Sequence, residues 1–254
     1  MKTKRKTNHR TEARVERRRE RRELKRNGSD YSAEPTLELS RDRKKEITPL
    51  RAQTAAQDRY LKSIKSNVVT FATGPAGTGK TFVAGAYAAQ LLLDGEIEQI
   101  IITRPGVEAG KDWGALPGEL EDKFAPFMEP FFDVLHKRLG KSQTEYFMKR
   151  GVIQAKPLEY MRGKTFENAF VILDEAQNTT PEQMKLFLTR IGENCKVVID
   201  GDIEQKDVRG TSGLKDAIDR LESVPQIGMV EFGIDDIVRS GIVREIIIRY
   251  AKAA

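Results

Sequence analysis

The stretch Gly74-Pro75-Ala76-Gly77-Thr78-Gly79-Lys80-Thr81 constrains the fold of this chain more than any other feature. It follows an apolar run, Val68 to Ala72, and precedes a helical stretch, Phe82 to Leu93. A glycine-rich loop between a strand and a helix can surround the β-phosphate of a nucleoside triphosphate with backbone N–H groups. We therefore predict a nucleotide site in which the Lys80 amine bridges the β- and γ-phosphates and the Thr81 hydroxyl binds Mg²⁺.

A second motif, Phe170-Val171-Ile172-Leu173-Asp174-Glu175-Ala176-Gln177, is an apolar run that ends in two carboxylates. The run is typical of a strand buried on both faces of a parallel sheet, and ligands of such sheets lie at the carboxyl ends of the strands. This Walker B pattern predicts that Asp174 holds the Mg²⁺ shell and that Glu175 orients or deprotonates the attacking water. The alternative is a plain buried strand followed by a helix with acidic residues at its start.

Two other apolar runs end in polar residues. Thr103 and Arg104 follow Ile100 to Ile102, and the run Val197 to Ile199 continues as Asp200-Gly201-Asp202-Ile203-Glu204-Gln205. An amide in the position of Gln205 can sense the γ-phosphate and so couple hydrolysis to movement. Ordinary turn chemistry is the alternative for Gly201-Asp202.

Several residues are candidates for contact with nucleic acid. Arg162 and Lys164 lie in the segment Tyr160-Met161-Arg162-Gly163-Lys164-Thr165. We expect this segment to bind a nucleic-acid backbone or a phosphate. An exposed loop without such a role is the alternative. Thr103 and Arg104 are further candidates for this role. Trp113, in a glycine-rich loop, could stack on a base or simply anchor that loop.

Two arginines near the end of the chain, Arg239 and Arg244, are candidates for an arginine finger that would be most useful across a subunit boundary. Salt bridging along a helix face is the alternative.

The positive charge of the chain is concentrated at its start. Residues 1–26 contain 13 Lys or Arg and four Glu, so they carry +9, whereas the other 228 residues sum to −3. Residues 1–27 have few large apolar side chains, which predicts a basic arm that is disordered or transiently helical. Such an arm commonly binds nucleic acid through counterion release; a merely solvated arm is the alternative.

The compartment follows from cysteine content and hydropathy. The single cysteine, Cys195, excludes an intramolecular disulfide framework, and no stretch has the roughly 18 to 20 apolar residues that a membrane helix needs. We expect a cytoplasmic protein without a membrane contact.

Strand and helix patterns alternate after a polar linker at residues 28–46, and we predict one domain over residues 47–254. The predicted helices are 54–65, 79–93, 119–150 (in several stretches), 181–190 and 212–222. The predicted strands are 68–72, 99–103, 152–154, 169–173, 196–200, 227–232 and 245–250. Alternation of this kind predicts an α/β fold with a doubly wound, mainly parallel sheet.

Taken together and in order, these motifs resemble the PhoH family of ATP-binding proteins, which are related to helicase-type RecA-like ATPases. The resemblance spans about residues 47–252. The matching stretches are Gln57 to Tyr60, Gly74 to Thr81, Thr103 to Pro105, Glu108 to Gly110, Leu116 to Gly118, Tyr160 to Gly163, Leu173 to Asn178, and Gly201-Asp202 with Gln205.

The resemblance implies a single RecA-like P-loop NTPase domain that hydrolyses ATP, forms a ring that is often hexameric, and acts on RNA. It also implies that Gln57 contacts adenine, that Gln205 is the γ-phosphate sensor, and that Arg239 or Arg244 reaches a neighbouring subunit's nucleotide. The chain departs from the family at Arg239-Ser240-Gly241, where Arg-His-Pro is usual.

Three functions are compatible with these motifs. The first is an oligomeric, helicase-like ATPase that acts on RNA or single-stranded DNA. The second is a nucleotide-gated adaptor that recruits a protein partner and has little motor activity. The third is a small-molecule kinase, but two carboxylates followed by a later glutamine suit attack by water better than transfer to a substrate.

Overall fold

A computed structural model describes residues 49–106, 120–161, 163–205 and 210–251, and in these residues the strands form one parallel sheet. The strands are β1 (Val69–Thr73), β2 (Gln99–Arg104), β3 (Ile153–Pro157), β4 (Ala169–Leu173), β5 (Lys196–Gly201) and β6 (Ile227–Glu231). Their order across the sheet is β3-β2-β4-β5-β1-β6.

α-Helices lie in the connections between successive strands, except between β3 and β4, where a short 3₁₀ turn lies instead. The α-helices are α1 (Ala55–Ser66), α2 (Lys80–Asp94), α3 (Leu120–Leu139), α4 (Lys141–Lys149), α5 (Pro181–Leu188), α6 (Gly213–Leu221) and α7 (Gly241–Ala251). Short 3₁₀ turns cover Leu158–Met161, Ala176–Asn178 and Ile234–Asp236.

The core lies on both faces of the sheet because successive side chains of a strand point in opposite directions. In β4, Phe170 and Ile172 belong to a cluster that includes residues of α1, α2 and α3. Val171 and Leu173 belong to a second cluster that includes residues of α5 and α6. The five residues of β4 are all buried, which explains why its sequence is apolar throughout.

The predicted α/β fold with a parallel sheet is therefore confirmed. Among the described residues, no helix is both long enough and apolar enough to cross a membrane. The basic arm, the linker, Trp113 and Arg162 lie outside the described residues, as do two family-like stretches, 108–110 and 116–118.

One predicted strand is wrong. Residues 245–250 lie in α7, not in a strand. The isoleucine run Ile246-Ile247-Ile248 favours a strand by β-branching, but the polar residues around it have helical spacing. Glu245 and Arg249, four residues apart, form an ion pair of 2.7 Å on the helix surface.

The sheet order brings the predicted motifs to one edge. The strands that precede the phosphate-binding loop and the two carboxylates, β1 and β4, are separated only by β5, which ends at Gly201. The strand β2, which ends at Arg104, lies on the other side of β4. Because all these strands are parallel, their carboxyl ends lie together and define the candidate site.

Candidate nucleotide-binding site

The loop between β1 and α2 has the backbone of a phosphate cradle. Gly74, Gly77 and Gly79 all have positive φ, of 127°, 85° and 86°, which only glycine adopts at little cost. Gly79 is the N-cap residue of α2 and offers no side chain to its first turn. The N–H groups at this helix end therefore remain available to an anion.

Lys80 is folded back over this loop. Its ammonium donates to the carbonyl oxygens of Gly74 at 2.6 Å and Pro75 at 3.0 Å. Burial lowers the pKa of the Lys80 amine, whereas the surrounding carboxylates, with Asp200 foremost, oppose this shift. Lys80 therefore lies close to the carboxylates that follow β4 and to Asp200 of β5.

The two carboxylates after β4 share one arginine. Arg104 contacts Asp174 at 3.2 Å and Glu175 at 2.9 Å. Burial raises the pKa of Asp174 to about 6, and Arg104 is the main influence that opposes the rise. Since a guanidinium stays protonated, Arg104 favours the ionised form of Asp174.

The donor set fits Mg²⁺. Asp174 follows β4, and Thr81 is the second residue of α2. Magnesium is commonly held by one or two carboxylates together with substrate phosphates, a combination that a hydroxyl and a carboxylate beside a phosphate cradle can complete. Thr81 and Asp174 would thus hold the ion when nucleotide is bound.

Gln177 is a residue to which the sequence motifs assigned no role. Its amide nitrogen donates to Glu175 at 2.6 Å and, at 3.4 Å, to the backbone carbonyl of Gln205, and its amide oxygen accepts from the backbone N–H of Asp202 at 3.1 Å. The residue is 2% exposed. One buried amide therefore connects the carboxylate of Glu175 to the loop that carries Gln205. An amide two residues after the second carboxylate is the signal that could have identified it.

The side chain of Gln205, the predicted γ-phosphate sensor, is exposed. Its sensing role stays a prediction.

Helix α1 is attached to the cradle through Gln57. The amide of Gln57 donates to the carbonyl oxygen of Thr78 at 2.9 Å and accepts from the backbone N–H of Gln53 at 2.8 Å. Contact between Gln57 and adenine remains a prediction; in this structure the side chain supports the phosphate-binding loop.

Tyr60, one turn further along α1, connects that helix to β5. Its hydroxyl donates to Asp200 at 2.7 Å, and the other carboxylate oxygen of Asp200 is buried without a hydrogen-bond partner among the described residues. Burial raises the pKa of Asp200 to about 7, with a further increase from Asp174. Asp200 therefore lies next to the phosphate cradle in surroundings that make its ionisation unfavourable.

We expect the substitution Asp200→Asn to reduce the dependence of thermal stability on pH. The folded-state pKa, about 7, is above the ordinary value of 3.8, so the folded protein retains a proton that the unfolded chain loses. Stability therefore falls as the pH rises from about 4 to about 7. Asparagine cannot ionise and still accepts from Tyr60, so the variant should lose this component and gain stability relative to wild type at pH 8.

Melting temperatures measured between pH 5 and pH 8 test this. Asp219→Asn is the matched control, because Asp219 is exposed and paired with Lys215. Parallel pH curves for Asp200→Asn and wild type would contradict the prediction.

The two candidate arginine fingers have different surroundings. Arg244 pairs with Asp235 of its own chain at 2.7 Å, an ion pair that joins α7 to the 3₁₀ turn Ile234–Asp236 and does not run along one helix face. The exposed Arg239 side chain lies over Gly77 of its own phosphate-binding loop: a Cβ atom placed on Gly77 would be 2.9 Å from the Arg239 Cγ. Reach to a neighbouring subunit stays a prediction for both.

The nucleic-acid candidates are divided by the structure. Thr103 is fully buried, and Arg104 contacts the carboxylates described above. Lys164 is exposed, close in sequence to Tyr160, which is 57% exposed. Among the three candidates that the structure describes, Lys164 is thus the one with a solvent-facing side chain.

Comparison with known proteins places this chain in a family. The chain matches the family described as "PhoH-like protein" over residues 49–251. It is 47% identical to Protein PhoH of Escherichia coli K12 over 217 residues, which are 84% of this chain and 61% of that protein. It is 48% identical to the PhoH-like protein of Bacillus subtilis 168 over 205 residues, 80% of this chain and 64% of that protein.

Among solved structures, the large terminase of a thermophilic bacteriophage in complex with ADP is similar at a TM-score of 0.44 and 13% identity. The likeness covers 77% of this chain and 49% of that one. Similarity at this level carries no functional information. The chain spans a little over three fifths of the length of the curated relatives named above. On the extent of the family match and the identity to these relatives, the chain belongs to the PhoH family.

Proposed function

We propose that this chain binds and hydrolyses ATP with Mg²⁺, and that hydrolysis is coupled to RNA or single-stranded DNA. The observation that carries the proposal is the connection from the phosphate cradle to the loop of Asp202 and Gln205. Lys80 lies near Asp174 and Glu175, and Gln177 joins Glu175 to the loop of Asp202 and Gln205. Nucleotide, water-activating carboxylate and sensor loop can thus act as one unit.

Each residue has a role in this proposal. The backbone of residues 74–79 and the Lys80 ammonium bind the phosphates, and Thr81 and Asp174 hold Mg²⁺, which neutralises phosphate charge. Glu175 orients the attacking water once its carboxylate turns from Arg104 toward the nucleotide. Because Gln177 contacts both Glu175 and the 202–205 loop, that movement shifts the loop and changes the surface that nucleic acid would meet.

The nucleic-acid part of the proposal is supported by charge and exposure. Tyr160 and Lys164 are solvent-facing residues that follow β3, where an aromatic ring can stack on a base and an ammonium can contact a phosphate. The basic arm supplies further cations. We place this activity in the cytoplasm, in keeping with a buried, unpaired Cys195.

A homo-oligomer, in the form of a hexameric ring, completes the leading proposal. Helix α7 carries Ile242 and Ile246, four residues apart, and they are 68% and 49% exposed. An apolar pair on one helix face is suited to contact with a second copy. Light scattering tests this: a protein that is monomeric at every concentration would contradict the ring.

One observation favours the adaptor as a second candidate. Both carboxylate oxygens of Glu175 have a partner in this structure, Arg104 and Gln177. A water-activating carboxylate held in this way is compatible with slow turnover, in which ATP binding itself is the signal that recruits a protein.

The experiment that decides between them is ATP hydrolysis with Mg²⁺, in the presence and absence of single-stranded RNA or DNA. Stimulation by nucleic acid supports the leading proposal. Slow, unstimulated turnover favours the adaptor. A protein that neither binds nor hydrolyses ATP would contradict both candidate functions.

We expect deletion of residues 1–27 to leave basal ATP hydrolysis unchanged and to weaken nucleic-acid binding. The deleted segment carries 13 cations, and loss of phosphate contacts reduces the slope of log K against log salt by about 0.7 per contact for a single strand. Binding of a labelled oligonucleotide at several salt concentrations measures this slope. Unchanged affinity and slope would show that the arm is only solvated.

A further inference from the structure

The segment that follows β6 runs along the phosphate-binding loop. The backbone N–H of Phe232 donates to the carbonyl oxygen of Thr73 at 2.8 Å, and that of Val238 donates to the carbonyl oxygen of Gly77 at 3.0 Å. Gly74 packs so closely against the Phe232 carbonyl that a side chain at position 74 would collide with it. Backbone contacts thus attach both ends of this segment, Phe232 and Val238, to the loop or to the strand before it.

These contacts fix the position of the next residue, Arg239. A Cβ atom placed on Gly77 would be 2.9 Å from the Arg239 Cγ and 3.2 Å from its Nε. The arginine side chain therefore extends across the space that a larger residue at position 77 would fill. It reaches this position as part of the same chain that forms the loop.

The electrostatic surroundings of Arg239 differ from those of the other two arginines of the site. Arg104 has Asp174 and Glu175 within 3.2 Å, and Arg244 has Asp235 at 2.7 Å. Within the described part of the chain, Arg239 has no carboxylate within ion-pair distance. A cation held beside inward-facing backbone N–H groups lies in a positive field, which an anionic ligand would neutralise.

We propose that Arg239 contacts the phosphates of the nucleotide bound to its own chain, and so acts in cis. The inference rests on the proposed function, in that it needs ATP in the phosphate-binding loop. A guanidinium offers five N–H donors in a planar fork that matches phosphate oxygens. Each chain would then complete its own site, and assembly would serve the nucleic acid and not the chemistry.

Mixing two defective variants tests cis against trans action. Lys80→Ala retains Arg239 but has a defective cradle, and Arg239→Ala retains the cradle but lacks the arginine. If the arginine acts in cis, every subunit in the mixture is defective and no activity is recovered. If it acts in trans, randomly mixed rings contain intact pairs, and about a quarter of wild-type activity should return in a 1:1 mixture.

Single-variant measurements complete the test. We expect Arg239→Ala to lower ATP hydrolysis roughly 100- to 1,000-fold with an unchanged melting temperature, and Arg239→Lys to recover part of the loss. ATP affinity should fall more than ADP affinity if the contact includes the γ-phosphate. Arg249→Ala is the matched control, because Arg249 is an exposed arginine of α7 paired with Glu245, and it should behave as wild type.

The outcomes separate this inference from the proposed function. Wild type that neither binds nor hydrolyses ATP would contradict the proposed function itself. Active wild type with equally active Arg239→Ala, or recovery of activity in the mixture, would overturn the inference alone. A wild type that hydrolyses ATP as a monomer and loses activity in Arg239→Ala supports action in cis directly.

Discussion

Replacement of Lys80 by alanine is expected to lower ATP hydrolysis by roughly 100- to 1,000-fold, because it removes a preorganised cation from the developing negative charge on the phosphates. The structure places this ammonium against the Gly74 and Pro75 carbonyl oxygens, at 2.6 and 3.0 Å. We infer that a nucleotide displaces it from these oxygens to the phosphates. Steady-state phosphate release with saturating ATP measures the loss.

The matched control is Lys62→Ala. Lys62 is an exposed lysine of α1 that pairs with Asp58, and a surface ion pair contributes at most about 1 kcal/mol to stability, so its removal should leave both the fold and the hydrolysis rate close to wild type. Retained melting temperature in Lys80→Ala would exclude unfolding as the cause. A Lys80→Ala variant that hydrolyses ATP at the wild-type rate would show that the assigned site is wrong.

Glu175→Gln is expected to lower hydrolysis by roughly 100- to 10,000-fold while leaving ATP binding nearly unchanged, because only the chemical step needs the carboxylate charge. Glutamine has the same shape as glutamate but only one acceptor oxygen, so it can keep the contact from Arg104 and loses the hydrogen bond that Gln177 donates to the second carboxylate oxygen. Binding of a fluorescent ATP analogue and single-turnover hydrolysis separate the two steps. The variant should therefore accumulate in the ATP-bound state.

Glu182→Gln provides the control for Glu175→Gln, since Glu182 is an exposed glutamate in the first turn of α5 and should have no effect on turnover. Equal losses of binding and hydrolysis in Glu175→Gln would contradict its assignment as the water-activating residue. They would indicate a role in holding the nucleotide.

The sheet was predictable because its signals are local. A run such as 169–173 is apolar at every position, and burial on both faces of a parallel strand requires this. The strand predicted at 245–250 failed because the same β-branched residues also fit a helix, and the choice depends on what surrounds them. In α7, the spacing of Glu245 and Arg249 suits the helix.

The connections within the site were less predictable because they join residues far apart in sequence. Arg104 and Glu175 are 71 residues apart, and Tyr60 and Asp200 are 140 apart. No local pattern states that β2 lies beside β4, or that α1 packs against β5. The polar residues after the apolar runs predicted that these groups would lie at one edge of the sheet. They did not predict which side chain would contact which.

The sequence by itself determined the phosphate-binding loop, the two carboxylates and the parallel α/β sheet, because each depends on glycine conformations, an apolar run or helix and strand periodicity within one short segment. Only the tertiary structure decided that Arg104 contacts both carboxylates, that Gln177 joins Glu175 to the loop of Asp202 and Gln205, and that Arg239 lies over Gly77 of its own chain. The physical reason is that these contacts are set by strand order and by the packing of distant segments, and hydrogen bonds and ion pairs act only between groups that the fold brings within a few ångströms.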